Sequence, residues 1–147
     1  MGSLLNADPS EKLDINVLKD DWLLFEVEQN NSDLQVLKLS QEKLSTNQRL
    51  TAFGCSYDNQ KSCIQSKYSG QYVKSLDNNL LINLEMPDDE VNTLRGLSGA
   101  PVLNNKNEVV GIVSNIIPDK DSGEVYFAPF CIGPVINYLN TLITSNK

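Results

Sequence analysis

The chain has 147 residues, 40% hydrophobic and 21% charged, enough for a folded domain with its own core and too apolar for wholesale disorder. Its net charge of −7, with Lys and Arg scattered singly, argues against a surface for a nucleic-acid backbone. No stretch approaches the roughly 18 consecutive apolar residues of a membrane span, and the first residues lack the basic flank and apolar stretch of a signal peptide.

Residues 1–13 are polar and read as a flexible tail ahead of a domain over residues 14–147. Trp22-Leu23-Leu24-Phe25-Glu26-Val27 is a dense apolar run that predicts a buried strand. After a turn signal at Asn30-Asn31-Ser32-Asp33, residues 34–39 predict a second strand and residues 49–54 a third. Residues 62–68 and 71–75 predict a hairpin around Ser69-Gly70. Residues 80–84 form another strand, ended by Pro87-Asp88-Asp89. A glycine-punctuated loop follows at Gly96-Leu97-Ser98-Gly99-Ala100-Pro101. Val102-Leu103, a polar turn and the β-branched run Val109-Val110-Gly111-Ile112-Val113 predict a hairpin, and residues 125–130 give one more strand. At the end, apolar residues at 135, 136, 139, 142 and 143 follow helical spacing, with Pro134 suited to the first turn. About eight or nine short strands closed by one helix describe an all-β antiparallel barrel or sandwich.

The three cysteines, Cys55, Cys63 and Cys131, cannot all pair with one another. Cys55 and Cys63 could bridge a hairpin, yet an odd count without an export signal favours free thiols and a cytoplasmic location. Histidine is absent and no CxxC pair exists, so a zinc site is not expected, and nothing in the sequence calls for a cofactor.

The chemistry-bearing segment is the loop at residues 96–101. A serine between glycines in a strand-to-strand loop can leave its hydroxyl exposed and let backbone N–H groups converge, the arrangement that stabilises charge developing on a carbonyl oxygen. Taken alone, such a loop is most often structural. Its surroundings are more specific. Gly96-Leu97-Ser98-Gly99-Ala100-Pro101-Val102-Leu103, followed by Val109-Val110-Gly111-Ile112-Val113-Ser114, resembles the nucleophile region of trypsin-like, chymotrypsin-fold serine peptidases. Two positions depart from that pattern: Leu97 stands for the usual Asp or Asn, and Ala100 for a second glycine. Upstream, Asp21-Trp22-Leu23-Leu24-Phe25-Glu26-Val27 resembles the family's segment carrying the orienting aspartate, and residues 34–54 resemble a stretch of its HtrA-like members.

The resemblance implies a chymotrypsin-like antiparallel β-barrel, the second barrel complete and the first partial, with a C-terminal α-helix. It implies Ser98 as nucleophile and Asp21 as orienting carboxylate, with Asp20 and Asp14 as less favoured candidates. The Gly96 and Ser98 amides become the oxyanion hole. Asn92, Leu94, Ser114, Asn115 and Ile116 become the surroundings of the substrate, a peptide or protein. The family's general base is a histidine upstream of the aspartate, and this sequence has none. Three readings follow: a peptidase domain whose histidine comes from an upstream segment or second chain, a pseudoprotease that binds peptides, or an unrelated all-β binding domain. On all three, the chain alone is not expected to cleave peptides.

Overall fold

The computed structural model describes residues 4–6, 21–27, 33, 35–55, 65–86 and 94–145. By its internal contacts the chain divides into two units, Met1–Leu37 and Lys38–Lys147. Among the described residues the second carries six strands: β1 (Arg49–Gly54), β2 (Ser66–Leu76), β3 (Asn79–Leu84), β4 (Pro101–Leu103), β5 (Val109–Pro118) and β6 (Val125–Cys131). They close into a barrel in the order β1-β2-β3-β6-β5-β4, with every neighbouring pair antiparallel. One helix, α1 (Gly133–Ser145), follows β6, with Pro134 in its first turn, where a missing N–H costs nothing.

Strand alternation places the core. Leu50 and Ala52 of β1, Leu80 and Ile82 of β3, Val102 of β4, Val110 and Val113 of β5 and Phe127 of β6 turn inward to one cluster. Leu81, Tyr126 and Ala128 form a second cluster, so β3 and β6 bury both faces. That accounts for the continuous apolar run Leu80-Leu81-Ile82 in place of a half-polar alternation.

Several expectations are corrected. The hairpin at Ser69-Gly70 does not exist: β2 runs straight through both residues, paired with β1 on one edge and β3 on the other. Gly70 is there because a methyl group in its place would collide with the Asn83 carbonyl and the Leu84 backbone. The chain reverses instead at Asp77-Asn78, where Asp77 adopts φ 52°. Residues 35–39 form no ladder; Leu39 makes a single parallel bridge to Val109, flanked by bonds from Val109 N–H to the Lys38 carbonyl and from Ser40 N–H to the Val109 carbonyl, both 2.8 Å. Among the described residues the barrel has six strands, fewer than the pattern predicts.

In the first unit, the expected buried strand at residues 22–27 is exposed on one face: Leu23 is 61%, Phe25 45% and Val27 72% accessible. Among the described residues its one bridge is Phe25 to Leu4, and Asn6 reinforces it by donating to the Trp22 carbonyl and accepting from the Leu24 N–H. The alternation is that of a strand, but no further strand among the described residues pairs with it. Hydrophobic composition therefore over-predicts its burial. Cys63 lies outside the described residues; Cys55 follows β1 and Cys131 ends β6, both half-buried.

A buried polar knot fixes the β4–β5 turn. The Asn104 side-chain carbonyl accepts the Lys106 and Glu108 N–H groups at 2.9 and 3.0 Å, while its amide donates to Glu108 at 3.3 Å. Glu108 in turn pairs with Lys38 at 3.0 Å. Asn104→Ala leaves the buried Glu108 N–H and the part-buried Lys106 N–H without this acceptor, and urea denaturation is expected to register a loss of about 1–3 kcal/mol. Lys38, and secondarily Asn104, hold the Glu108 carboxyl below its ordinary range. A depressed carboxyl contributes stability above its unfolded-state pKa, and that contribution fades as pH falls through the lower folded value. Melting temperature should thus decline on acidification through the carboxylate range, and Glu108→Gln should flatten that part of the profile. An equally steep profile in the variant would show that other carboxyls control it.

Candidate active-site loop

The segment from Leu94 to Ala100 alternates between anchoring and presentation. Leu94 and Leu97 are buried in the barrel core, 5% and 1% accessible, while Arg95, Gly96, Ser98 and Gly99 are exposed. Two tight turns hold it: the Leu97 N–H bonds to the Leu94 carbonyl at 3.3 Å, and the Ala100 N–H to the Leu97 carbonyl at 2.9 Å. Gly96 and Gly99 take φ values of 100° and 87°, which residues with a Cβ rarely adopt.

The loop is also fastened to β5. Val113 accepts the Gly99 N–H and donates its own N–H to the Ala100 carbonyl, each at 2.9 Å. These bonds extend the β4–β5 hairpin by two residues. Among the described residues, the Gly96 and Ser98 amides have no acceptor and the Ser98 hydroxyl has no partner, while the Leu97, Gly99 and Ala100 amides are all used. Two donors and one hydroxyl thus stand free within three consecutive residues.

Leu97 reaches the core beside Gly54, the last residue of β1: a methyl group at Gly54 would lie 2.6 Å from Leu97 Cδ2. Sequence reasoning gave no role to Gly54 or Val113 and treated Leu97 only as a departure from the family pattern. The available signal was an aliphatic residue inside an otherwise polar loop, which burial explains.

The expected substrate-facing residues have different surroundings. Ser114 is half-buried, Asn115 exposed, and Asn115 donates to the Ser114 hydroxyl at 2.8 Å. Ile116 packs against the core cluster. The β5–β6 register shifts between Ile112 and Asn115, so a bulge lies beside the serine loop. Past Val113, β5 pairs with β6 on one side, and no strand among the described residues pairs with it on the other. Leu94 is a core residue and offers no surface to a ligand. Asn92, Asp14 and Asp20 lie outside the described residues; Asp21 is exposed at the start of residues 21–27 in the other unit.

Among solved structures, the chain resembles "Kallikrein-related peptidase 10" at a TM-score of 0.57 and 14% identity, covering 84% of this chain and 63% of that one. The same peptidase in complex with Zn2+ matches at a TM-score of 0.50 and 14% identity, covering 82% of this chain and 60% of that one. The chain therefore spans less than two thirds of these relatives, and at such identity the likeness establishes the chymotrypsin-like fold. No curated protein matches the sequence. Residues 2–112, which include Ser98 and the whole loop around it, match the trypsin-like peptidase domain family, and to that family the chain belongs.

Proposed function

We propose that the chain is a trypsin-like serine endopeptidase domain, or a fragment of one, with Ser98 as nucleophile and the general base supplied from outside this sequence. The observation that carries the reading is that, among the described residues, the Gly96 and Ser98 amides have no acceptor and the exposed Ser98 hydroxyl has no partner. In acyl transfer, the Ser98 oxygen bonds to a peptide carbonyl carbon and the carbonyl π electrons move to its oxygen. The two amides are the donors for that oxyanion. The hydroxyl proton must pass to a base and then to the leaving amine, which histidine does near neutral pH. With no histidine here, an upstream segment or second chain supplies it, and Asp21 orients it. The substrate backbone adds to the open edge of β5 at Ser114, Asn115 and Ile116, with Asn92 at the pocket and Leu94 supporting the loop from beneath. The odd cysteine count and the unpaired Cys131 thiol support a reducing, cytoplasmic setting.

A second reading, a pseudoprotease that only binds peptides, is favoured by the same absence of histidine together with the open edge. A peptide boronic acid tests Ser98 and the two amides in this chain alone, because boron accepts the Ser98 oxygen without a general base. A B–O bond forms, the hydroxyl proton goes to solvent, and an anionic tetrahedral boronate faces the amides. We expect the boronate to bind at least about tenfold more tightly than its parent peptide, a gain worth about 1.4 kcal/mol, and Ser98→Ala to erase that gain alone. Equal binding of boronate and parent peptide would favour the pseudoprotease.

A further inference from the structure

We infer that Arg95 makes this site select peptides with an acidic side chain close to the residue held at Ser98; this rests on the peptide-binding reading above. Arg95 lies in the turn between Leu94 and Leu97, whose side chains are both sunk in the core. Its backbone is therefore fixed on both sides, and it shares the exposed rim of the loop with Gly96, Ser98 and Gly99. Among the described residues its guanidinium makes no ion pair or hydrogen bond, whereas Lys38, Arg49 and Lys106 are paired with Glu108, Glu85 and Glu42.

Within the described loop, no carboxylate offsets that charge. Residues 94–103 contain no carboxylate, and across the hairpin Ser114, Asn115 and Ile116 are neutral. The chain's negative charge is concentrated elsewhere: residues 38–147 hold 10 cationic and 11 acidic side chains, so most of the net −7 resides in the first 37 residues. A peptide laid on the open edge of β5 passes Ser98 and carries one of its own side chains past Arg95. A carboxylate there meets a planar donor fork that can hold both of its oxygens. The opposite charge would meet unrelieved repulsion, so the discrimination has an attractive and a repulsive part.

The test uses the full chain with Ser98→Ala, which removes any covalent capture. Its ligands are extended peptides identical except for Glu, Gln or Lys at one position, scanned over the two residues on either side of the central one. At one position, calorimetry is expected to rank Glu over Gln by about three- to fivefold at low salt, with Lys weakest. The preference should shrink by 0.5 M salt as screening shortens to a few ångströms. Arg95→Gln should level the series, and Arg95→Glu should invert it without moving the melting temperature. Peptides that bind with no charge preference, or a preference untouched by Arg95→Glu, would overturn the inference and leave the peptide site standing. No binding by any peptide would remove the site itself.

Discussion

Ser98 should react with a fluorophosphonate on the order of 10^4 to 10^6 times more slowly in this chain alone than in a complex that supplies an imidazole. The size of the effect follows from what is present and what is missing. Two amides with no acceptor among the described residues flank Leu97 and can stabilise negative charge on a phosphonyl or carbonyl oxygen. A serine hydroxyl near neutral pH is nonetheless a poor nucleophile until a neighbour takes its proton, and this sequence contains no histidine to do so. On the endopeptidase reading, a form of the protein extended upstream to include a histidine-bearing segment, or the addition of a second chain bearing the histidine, should raise the labelling rate into the range of an active peptidase. Ser98→Ala should abolish labelling in every form, and Asp21→Asn should lower the restored rate with little change in peptide affinity. If the upstream sequence carries no histidine and no partner chain accelerates labelling, the endopeptidase reading fails and the peptide-binding reading takes its place.

The second large effect is structural. Leu97→Ala is expected to destabilise the chain by about 2–5 kcal/mol, the usual range for truncating a core leucine and a large share of the roughly 5–15 kcal/mol that holds a domain folded. Leu97 is 1% accessible and projects into the cluster that includes Leu50, Ala52 and Val102. The vacancy left by truncation borders Gly54, which gives the claim a sharper form. Gly54→Ala in the natural chain forces a methyl against Leu97 Cδ2 and should cost about 1–3 kcal/mol by overpacking. In the Leu97→Ala background the same methyl enters the vacancy, so its cost should vanish or reverse. A double-mutant cycle by chemical denaturation measures the coupling. Additive losses would mean that Leu97 and Gly54 do not share the space.

How much of this was legible beforehand depended on whether the signal was local. β1, β3, the β4–β5 hairpin, β6 and α1 each carry their own alternation or helical spacing, and all lie where the pattern places them. Ser69-Gly70 misled because serine and glycine mark turns by default. Here glycine answers a different demand, the close approach of the Asn83 backbone from a strand thirteen positions away. Residues 22–27 misled for the opposite reason: their apolar side chains signal burial, but burial requires neighbouring strands, and residues 4–6 give them a single bridge. In the loop, the exposed serine and the positive-φ glycines were readable from residue type and order. The matching of Leu97 to Gly54 was not, because the two are 43 positions apart and meet only once β1 and the loop are in place.

The anchoring of the serine loop has a consequence for control. Leu97 carries no ionisable group, and what seats it is the exclusion of water from a hydrocarbon side chain. Neither acidification, nor ionic strength, nor a newly cut amino terminus has a handle on that attachment. The shape of the loop is settled when the barrel folds, so on the endopeptidase reading proposed above, control of the chemistry falls to delivery of the proton acceptor.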